Sequence, residues 1–356
     1  MAKRYDANLP STSYDFADFT ALQHAQLGDV LFRMEGMRFD SAEAASVFFA
    51  RELDYIKSRT YDKLYPHLTA LENFPVTSEI PEGAETATYY SYEKTGMAQI
   101  ITNYADDLPR ADVKGKPTTV EVKDVGTSYG FSVKEMAASR YAGKSLDVRK
   151  GEAAKWVTDE ATNRIAWAGD ADNGLIGVLS DGNNIPLYVL PETASPPAGV
   201  TVNLTSWRNK DPDEIVADIA GMLQAVSDTT MGVERPDTLL IPESVYVELS
   251  LKRLPATDSS VLSYIKKNAP GIKDIKSAPE LNPNSFTTNP FSTPANPVGV
   301  AVLFTYDPEK LAIEIPLPFT QYPIQAKNFE FIIPCRQTIA GVTIYYPLSA
   351  VIAVGV

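Results

Sequence analysis

The sequence predicts an α+β fold, and three observations lead there. The chain holds 26 prolines but none between Thr118 and Ile185. Because proline interrupts helices and central strands, the longest regular elements must lie in that window. Inside the window an alternating strand pattern gives way to a helical one, and beyond Pro186 short helices and strands alternate. With 356 residues and 44% hydrophobic content, the chain can bury a substantial core.

The first extended run is ATYYSYEKTGMAQIIT, residues 87–102, and the next is TTVEVKDVGTSYGFS, residues 118–132, in which Val120, Val122 and Val125 mark one face. The polar stretch NYADDLPRADVKGKP between them predicts a long β-hairpin with a wide, charged tip, longer than most hairpin loops. Ser132 and Glu135 then form a capping box in sequence. Met136, Ala137 and Tyr141 continue as one apolar face up to a break at Gly143. Ala153, Trp156, Val157, Ala161, Ile165 and Ala168 recur at helical spacing and predict a long helix with one buried stripe, stopped by Gly169. Asp172-Asn173-Gly174 reads as a turn, after which Leu175, Ile176, Val178 and Leu179 return to the core.

Asp211-Pro212-Asp213-Glu214 is a strong helix start, with Ile215, Ile219, Met222, Leu223 and Val226 as its buried face. DTLLIP follows as a strand, then short helices over 243–254 and 259–267. VGVAVLFTY and KLAIEIPLPF are each read as a strand, on either side of the turn Asp307–Lys310. The Pro- and Asn-rich segment 277–297 is expected to be a surface loop. The apolar tail GVTIYYPLSAVIAVGV is too short for a membrane span and contains Pro347, so it reads as strand.

The motifs that could carry chemistry fail on inspection. Lys plus Arg number 32 against 45 Asp plus Glu, a net charge of −13, and no basic patch is segregated, which argues against a nucleic-acid reader. Asp170, Asp172 and Asp181 fall at positions 1, 3 and 12 of a calcium loop, but Gly174 and Leu175 stand where an oxygen ligand and the obligatory glycine belong. Gly143-Lys144-Ser145 ends like a phosphate loop, yet Ala138 replaces its first glycine. His24 and His67 stand in weakly patterned segments, and the single Cys335, in FIIPCR, reads as a small core residue. Paired-acid catalysis is neither suggested nor excluded by so many carboxylates. Tyr89, Tyr90, Tyr92, Tyr345 and Tyr346 suit either sheet packing or an interface.

Three longer stretches bear a family resemblance. FSVKEMAASRYAGKSLDVRKGEAAKWVTDEATNRIAWAGDADNGLIGVLSD, VLSYIKKNAPGIKDIKSAPEL and LPFTQYPIQAKNFEFIIPCRQTIAGVTIYYPLSAVIAVGV resemble the major capsid proteins of tailed phages, the Hong Kong ninety-seven-type fold. The resemblance implies an N-terminal arm and lead-in over 1–85, an E-loop hairpin over 86–131 and a P-domain with its spine helix over 132–190. An A-domain over 191–320 and closing strands over 321–356 complete it. It also implies a structural coat protein that self-assembles into pentamers and hexamers of an icosahedral head around double-stranded DNA. Such a protein has no catalytic residues, cofactor, metal or membrane contact. Scaffold, portal and decoration proteins are the implied partners, with assembly in the host cytoplasm before residence in the virion. An encapsulin-like nanocompartment shell is the nearest alternative, and a soluble carboxylate-dependent hydrolase the alternative of another class. The candidate inter-subunit contact is the hairpin tip, Asp106, Asp107, Arg110, Asp112, Lys114 and Lys116. Some family members weld subunits by a Lys–Asn isopeptide bond, but no Asn partner is identifiable here, so non-crosslinked assembly is expected.

Overall fold

A computed structural model of the chain describes residues 65–100, 109–143, 146–197, 199, 202–255, 257–269 and 271–356. Residues 66–356 form one compact unit. In chain order its elements begin with helix α1 (Ala70–Asn73), strands β1 (Val76–Thr77), β2 (Thr86–Thr95), β3 (Asp112–Glu121) and β4 (Lys123–Ser132), and helices α2 (Val133–Ala142) and α3 (Leu146–Ala168). Next come β5 (Leu187–Val189), α4 (Pro212–Thr230), β6 (Thr238–Pro242), α5 (Glu243–Leu251), α6 (Val261–Asn268) and β7 (Asp274–Ala278). The remaining strands are β8 (Val300–Phe304), β9 (Leu311–Glu314), β10 (Leu317–Gln321), β11 (Gln325–Lys327), β12 (Glu330–Ile339), β13 (Val342–Ile344) and β14 (Ala350–Val354).

The most deeply buried sheet has the strand order β5-β14-β8-β6-β7 and is covered on both faces. Alternation sends Val300, Val302, Phe304, Ala350 and Ile352 to one side and Ala301, Leu303, Val351 and Ala353 to the other. Helices α4, α5 and α6 cover the second side with Ile215, Ile219, Met222, Leu249 and Ile265. On the first side Phe74 stacks between Trp167 at the end of α3 and Phe304 of β8, with ring centroids 5.0 and 5.2 Å away. Beside them lie Leu311, Ile313, Val342 and Ile344 of the small sheet β1-β9-β13. A third sheet is built on β12, which pairs with β4 along one edge and with β10 and then β11 along the other.

The helix starts fall where the sequence puts them. Ser132 and Glu135 close a reciprocal capping box on α2, Gly143 ends that helix in the left-handed region, and Asp211 with Glu214 caps α4. The buried stripe of α3 differs from the expected one. Ala153 is exposed and Val157 half-exposed, while Gly151, Ala154, Thr158, Thr162 and Ile165 face inward. Two threonines can be buried because each hydroxyl donates to the carbonyl four residues back, Thr158 to Ala154 at 2.9 Å and Thr162 to Thr158 at 3.0 Å. Residues of small volume then let α3 lie close to β4 and β12.

Two further expectations are corrected. KLAIEIPLPF is split at Pro316 into β9 and β10, which belong to different sheets. The segment 277–297 is a surface loop only in part: it is exposed over 293–297, but Ala278, Glu280, Leu281, Asn289 and Ser292 are buried. It satisfies its own backbone, with Asn289 Nδ2 donating to the Val298 carbonyl at 2.8 Å and Val298 N donating to Ser292 Oγ at 3.0 Å. Glu280 receives the Thr69 backbone N–H at 3.0 Å, the Thr69 hydroxyl at 2.6 Å and Asn163 Nδ2 at 2.9 Å, so it caps α1 from 211 residues along the chain.

Gly169 ends α3 with φ +75°, and the chain turns through Asp170–Leu175 under two backbone hydrogen bonds, 2.8 and 2.9 Å. Leu175, Val178 and Leu179 then enter the core as expected, with Ile176 only half-buried. Here three backbones touch. A Cβ on Gly177 would stand 2.2 Å from the Gly169 nitrogen, and one on Gly341 would stand 2.6 Å from the Ile176 carbonyl oxygen. Val342 N donates to that same carbonyl at 2.7 Å, and Val178 N donates to the Ala166 carbonyl at 2.9 Å. Among the described residues no group of three or more His, Cys, Asp or Glu is placed to hold a metal, the Asp170–Asp181 stretch included.

Below α4 the Lys210 ammonium meets the Asp218 carboxylate at 2.6 Å, with both side chains almost wholly buried, and Trp207 Nε1 donates to the same carboxylate at 2.9 Å. Burial pushes the Asp218 carboxyl above its ordinary range against the pull of Lys210.

Two substitutions test these arrangements. Gly177→Ala is expected to lower stability by about 3 kcal/mol, since backbone has to move to admit a methyl group. The measurement is the urea midpoint of the unassembled chain, and an unchanged midpoint disproves the close approach. Lys210→Met is expected to cost about 3–5 kcal/mol by leaving Asp218 unpaired, and the double variant Lys210→Met/Asp218→Leu should recover most of that loss.

Candidate assembly surface

Among the described residues, strands β2 and β3 pair only with each other, over ten consecutive residue pairs from Thr86↔Glu121 to Thr95↔Asp112. This is where the sequence reading needs its third correction. Lys123–Ser132 is not the hairpin's return arm but a separate strand, β4, paired with β12 along its whole length. The chain crosses over at Val122, which is buried and donates its N–H to the Glu85 carbonyl at 2.9 Å. The return arm begins earlier, at Asp112 within the polar stretch read as the tip, and ends at Glu121. A two-stranded ribbon is all edge, so a proline opposite Tyr90 is tolerated there.

The shift relocates the predicted contact residues. Asp112, Lys114 and Lys116 sit on a strand, not in the tip; Arg110 lies just before it; Asp106 and Asp107 fall outside the described residues. Pairing places Thr95, Glu93 and Ser91 opposite Asp112, Lys114 and Lys116, so charge on this face is largely matched within the ribbon. The other face carries Tyr90 opposite Pro117, Tyr92 opposite Gly115, and Val113 opposite Lys94. The Tyr92 ring packs over Gly115, where a Cβ would lie 3.1 Å from its edge. Tyr90 is 63% and Tyr92 70% exposed, and Met97 and Ile100 extend the apolar surface beyond the strands.

At its foot the ribbon is fixed to the body. The Tyr89 hydroxyl donates to the Ile344 carbonyl at 3.1 Å, and its ring meets Tyr345 edge-on at 4.9 Å. Tyr345 in turn hydrogen-bonds Glu314 at 3.2 Å. Burial, and then the neighbouring Glu314, push the Tyr345 hydroxyl far above its ordinary range, so it stays a proton donor. Where the chain enters β4, Arg336 lies 2.9 Å from Asp124. Burial works against the Asp124 charge, but hydrogen bonds from Thr338 and Arg336 prevail and hold its carboxyl below the ordinary value. The tyrosines thus divide between the two roles open to them: Tyr89 and Tyr345 pack, while Tyr90, Tyr92 and Tyr346 face outward. Cys335 is buried in β12, and burial raises its thiol pKa, as suits a core residue.

This geometry suits a surface for repeated association. Residues 96–356 match the family model described as Major capsid protein. The chain belongs to the major capsid protein family. No curated protein matches it in sequence. Among solved structures it is similar to the capsid of Myoviridae phage XM1, with 16% identity, a TM-score of 0.71 and coverage of 87% of this chain and 99% of the other. A structure from Mycobacterium phage Bobi is similar at 12% identity and TM-score 0.57, covering 89% and 99%. The capsid of a native GTA particle is similar at 9% identity and TM-score 0.58, again covering 89% and 99%. At such identities the likeness concerns the fold, and it is the phage capsid fold expected from the sequence. With the family it makes this chain a structural coat protein of a capsid shell.

An unsupported two-stranded ribbon is marginal in water. The amides of 86–95 and 112–121 are therefore expected to exchange hydrogen rapidly in the unassembled subunit and slowly in the assembled shell. Hydrogen exchange read by mass spectrometry checks this, and equal protection in both states would remove the ribbon from the interface.

Proposed function

We propose that this major capsid protein builds the icosahedral head of a tailed phage as pentamers and hexamers around double-stranded DNA, and that the ribbon β2–β3 reaches onto a neighbouring copy. The observation behind this reading is the ribbon itself, ten residue pairs long, hydrogen-bonded to no other strand among the described residues and bearing Tyr90 and Tyr92 in the open. Exposed tyrosines on a preformed backbone suit an interface, because each offers large apolar area at small entropic cost. Asp112, Lys114 and Lys116 on the opposite face of the ribbon, with Arg110, Asp106 and Asp107, would set register by charge. The acidic balance of −13 limits adhesion of packaged DNA to the inner wall. Within this reading the regions 1–85, 86–131, 132–190, 191–320 and 321–356 serve as arm, E-loop, P-domain, A-domain and closing strands. Scaffold, portal and decoration proteins supply the remaining partners, assembly takes place in the host cytoplasm, and the chain performs no catalysis.

Light scattering and negative-stain microscopy of the purified protein test the assembly, with a megadalton shell as the expected result. Packaged DNA within it separates a phage head from a nanocompartment loaded with enzyme. Tyr90→Ala/Tyr92→Ala is expected to reduce shell yield about tenfold or more while leaving the subunit folded. Lys114→Glu/Lys116→Glu is expected to reduce yield at low salt and to alter its salt dependence. Unchanged yield for either pair would remove those residues from the contact.

A further inference from the structure

A cavity of about 280 Å³ opens between the foot of the ribbon and the outer face of the small sheet. Its polar floor is made by Glu314 and Thr343, and Tyr345 lies beside them. Glu314 is 2% exposed; its Oε1 is engaged by the Tyr345 hydroxyl, but Oε2 has no hydrogen-bond partner among the described residues. The hydroxyls of Thr343 and of Thr77, the cross-strand neighbour of Glu314, are likewise buried without a partner. A buried carboxyl oxygen and two buried hydroxyls left unmatched on one sheet face are costly. The walls are apolar, from Ile80, Pro81, Ala87 and Val120, and a second carboxylate, Glu79, stands among the lining residues. Among the described residues no Lys, Arg or His lines the cavity.

From this we infer that the Glu314 cavity is a binding site for a primary alkylammonium group. The apolar walls suit an aliphatic stem, and the floor presents the Glu314 carboxylate oxygen and the Thr343 hydroxyl, which can accept from an –NH₃⁺ head with its three donors, while Thr77 stands across the strand pair from Glu314. A divalent metal fits poorly, because it would want several carboxylate or carbonyl oxygens. The same chemistry could come from a free polyamine or from a lysine side chain of another copy. The site does not depend on the contact assigned to Tyr90 and Tyr92, and its first test needs no assembly.

The unassembled full-length chain, ¹³C-labelled at threonine methyls, is titrated with 1,4-diaminobutane and, as a neutral control, with 1,4-butanediol. Saturable shifts at Thr343 and Thr77 with the diamine alone, weakened about tenfold by Glu314→Gln, establish the site with a free amine as ligand. Should Glu314→Gln fail to fold, Thr343→Val serves in its place, with an expected weakening of about threefold. If the unassembled chain takes no diamine, a high-resolution map of the shell showing a lysine Nζ of another copy within hydrogen-bond distance of Glu314 Oε2 supports the site with that source. Diamine binding indifferent to both substitutions overturns the inference. So does the absence of diamine binding together with only water beside Glu314 in the shell.

Discussion

Everything else in the body hangs from one place where three backbones meet without side chains between them. The end of α3, the segment Leu175–Leu179 and the bend between β12 and β13 come together at Gly169, Gly177 and Gly341. Hydrogen bonds from Val178 to Ala166 and from Val342 to Ile176 leave little play. Because packed interiors transmit strain and do not flow, fixing these segments fixes the elements they lead to. From the junction α3 extends along the β4–β12 sheet, Leu179 enters the core against the five-stranded sheet, and β13 joins the small sheet beneath the ribbon. The angle at which the ribbon leaves the body is therefore set by backbone contact, with Tyr89 and Tyr345 as its side-chain anchor.

How far the sequence could be read depended on how local the physics was. Helix starts at Ser132 and Asp211 and the stop at Gly169 were legible because a cap is written within a few residues. The buried face of α3 was not, since Thr158 and Thr162 look polar and become interior only by returning their hydroxyls to their own helix. Nor was the division at Val122, where one continuous alternation serves two sheets and only long-range pairing with β12 says where the ribbon ends. The candidate contact suffered from this: Lys114 and Lys116 belonged to the right hairpin but to a strand face balanced by Glu93. Tyr90 and Tyr92 were visible as tyrosines, yet nothing local separates them from Tyr89. Glu314 left one trace, a lone acid inside LAIEI, and its significance came only with the cavity above it.

Body and ribbon follow opposite rules. Within the body, several buried charges are closely matched, Glu280 by three donors and Asp218 by Lys210 and Trp207, and the unmatched Glu314 oxygen with Thr77 and Thr343 stands out against them. On the ribbon, apolar groups are exterior, and among the described residues its outer backbone edges pair with no other strand. A subunit that must be soluble alone and adhesive in company can separate the two demands in this way, keeping specificity in a projecting element and stability in a closed core.

The strands β12, β13 and β14 enter the three sheets of the body one after another, and two of them occupy interior positions. On a ribosome, none of those sheets can be finished until residues 330–354 have emerged. Until then the ribbon lacks the finished body to which Tyr89 and Tyr345 fasten it. Closure of the body therefore depends on contacts of long sequence separation, which form late in folding.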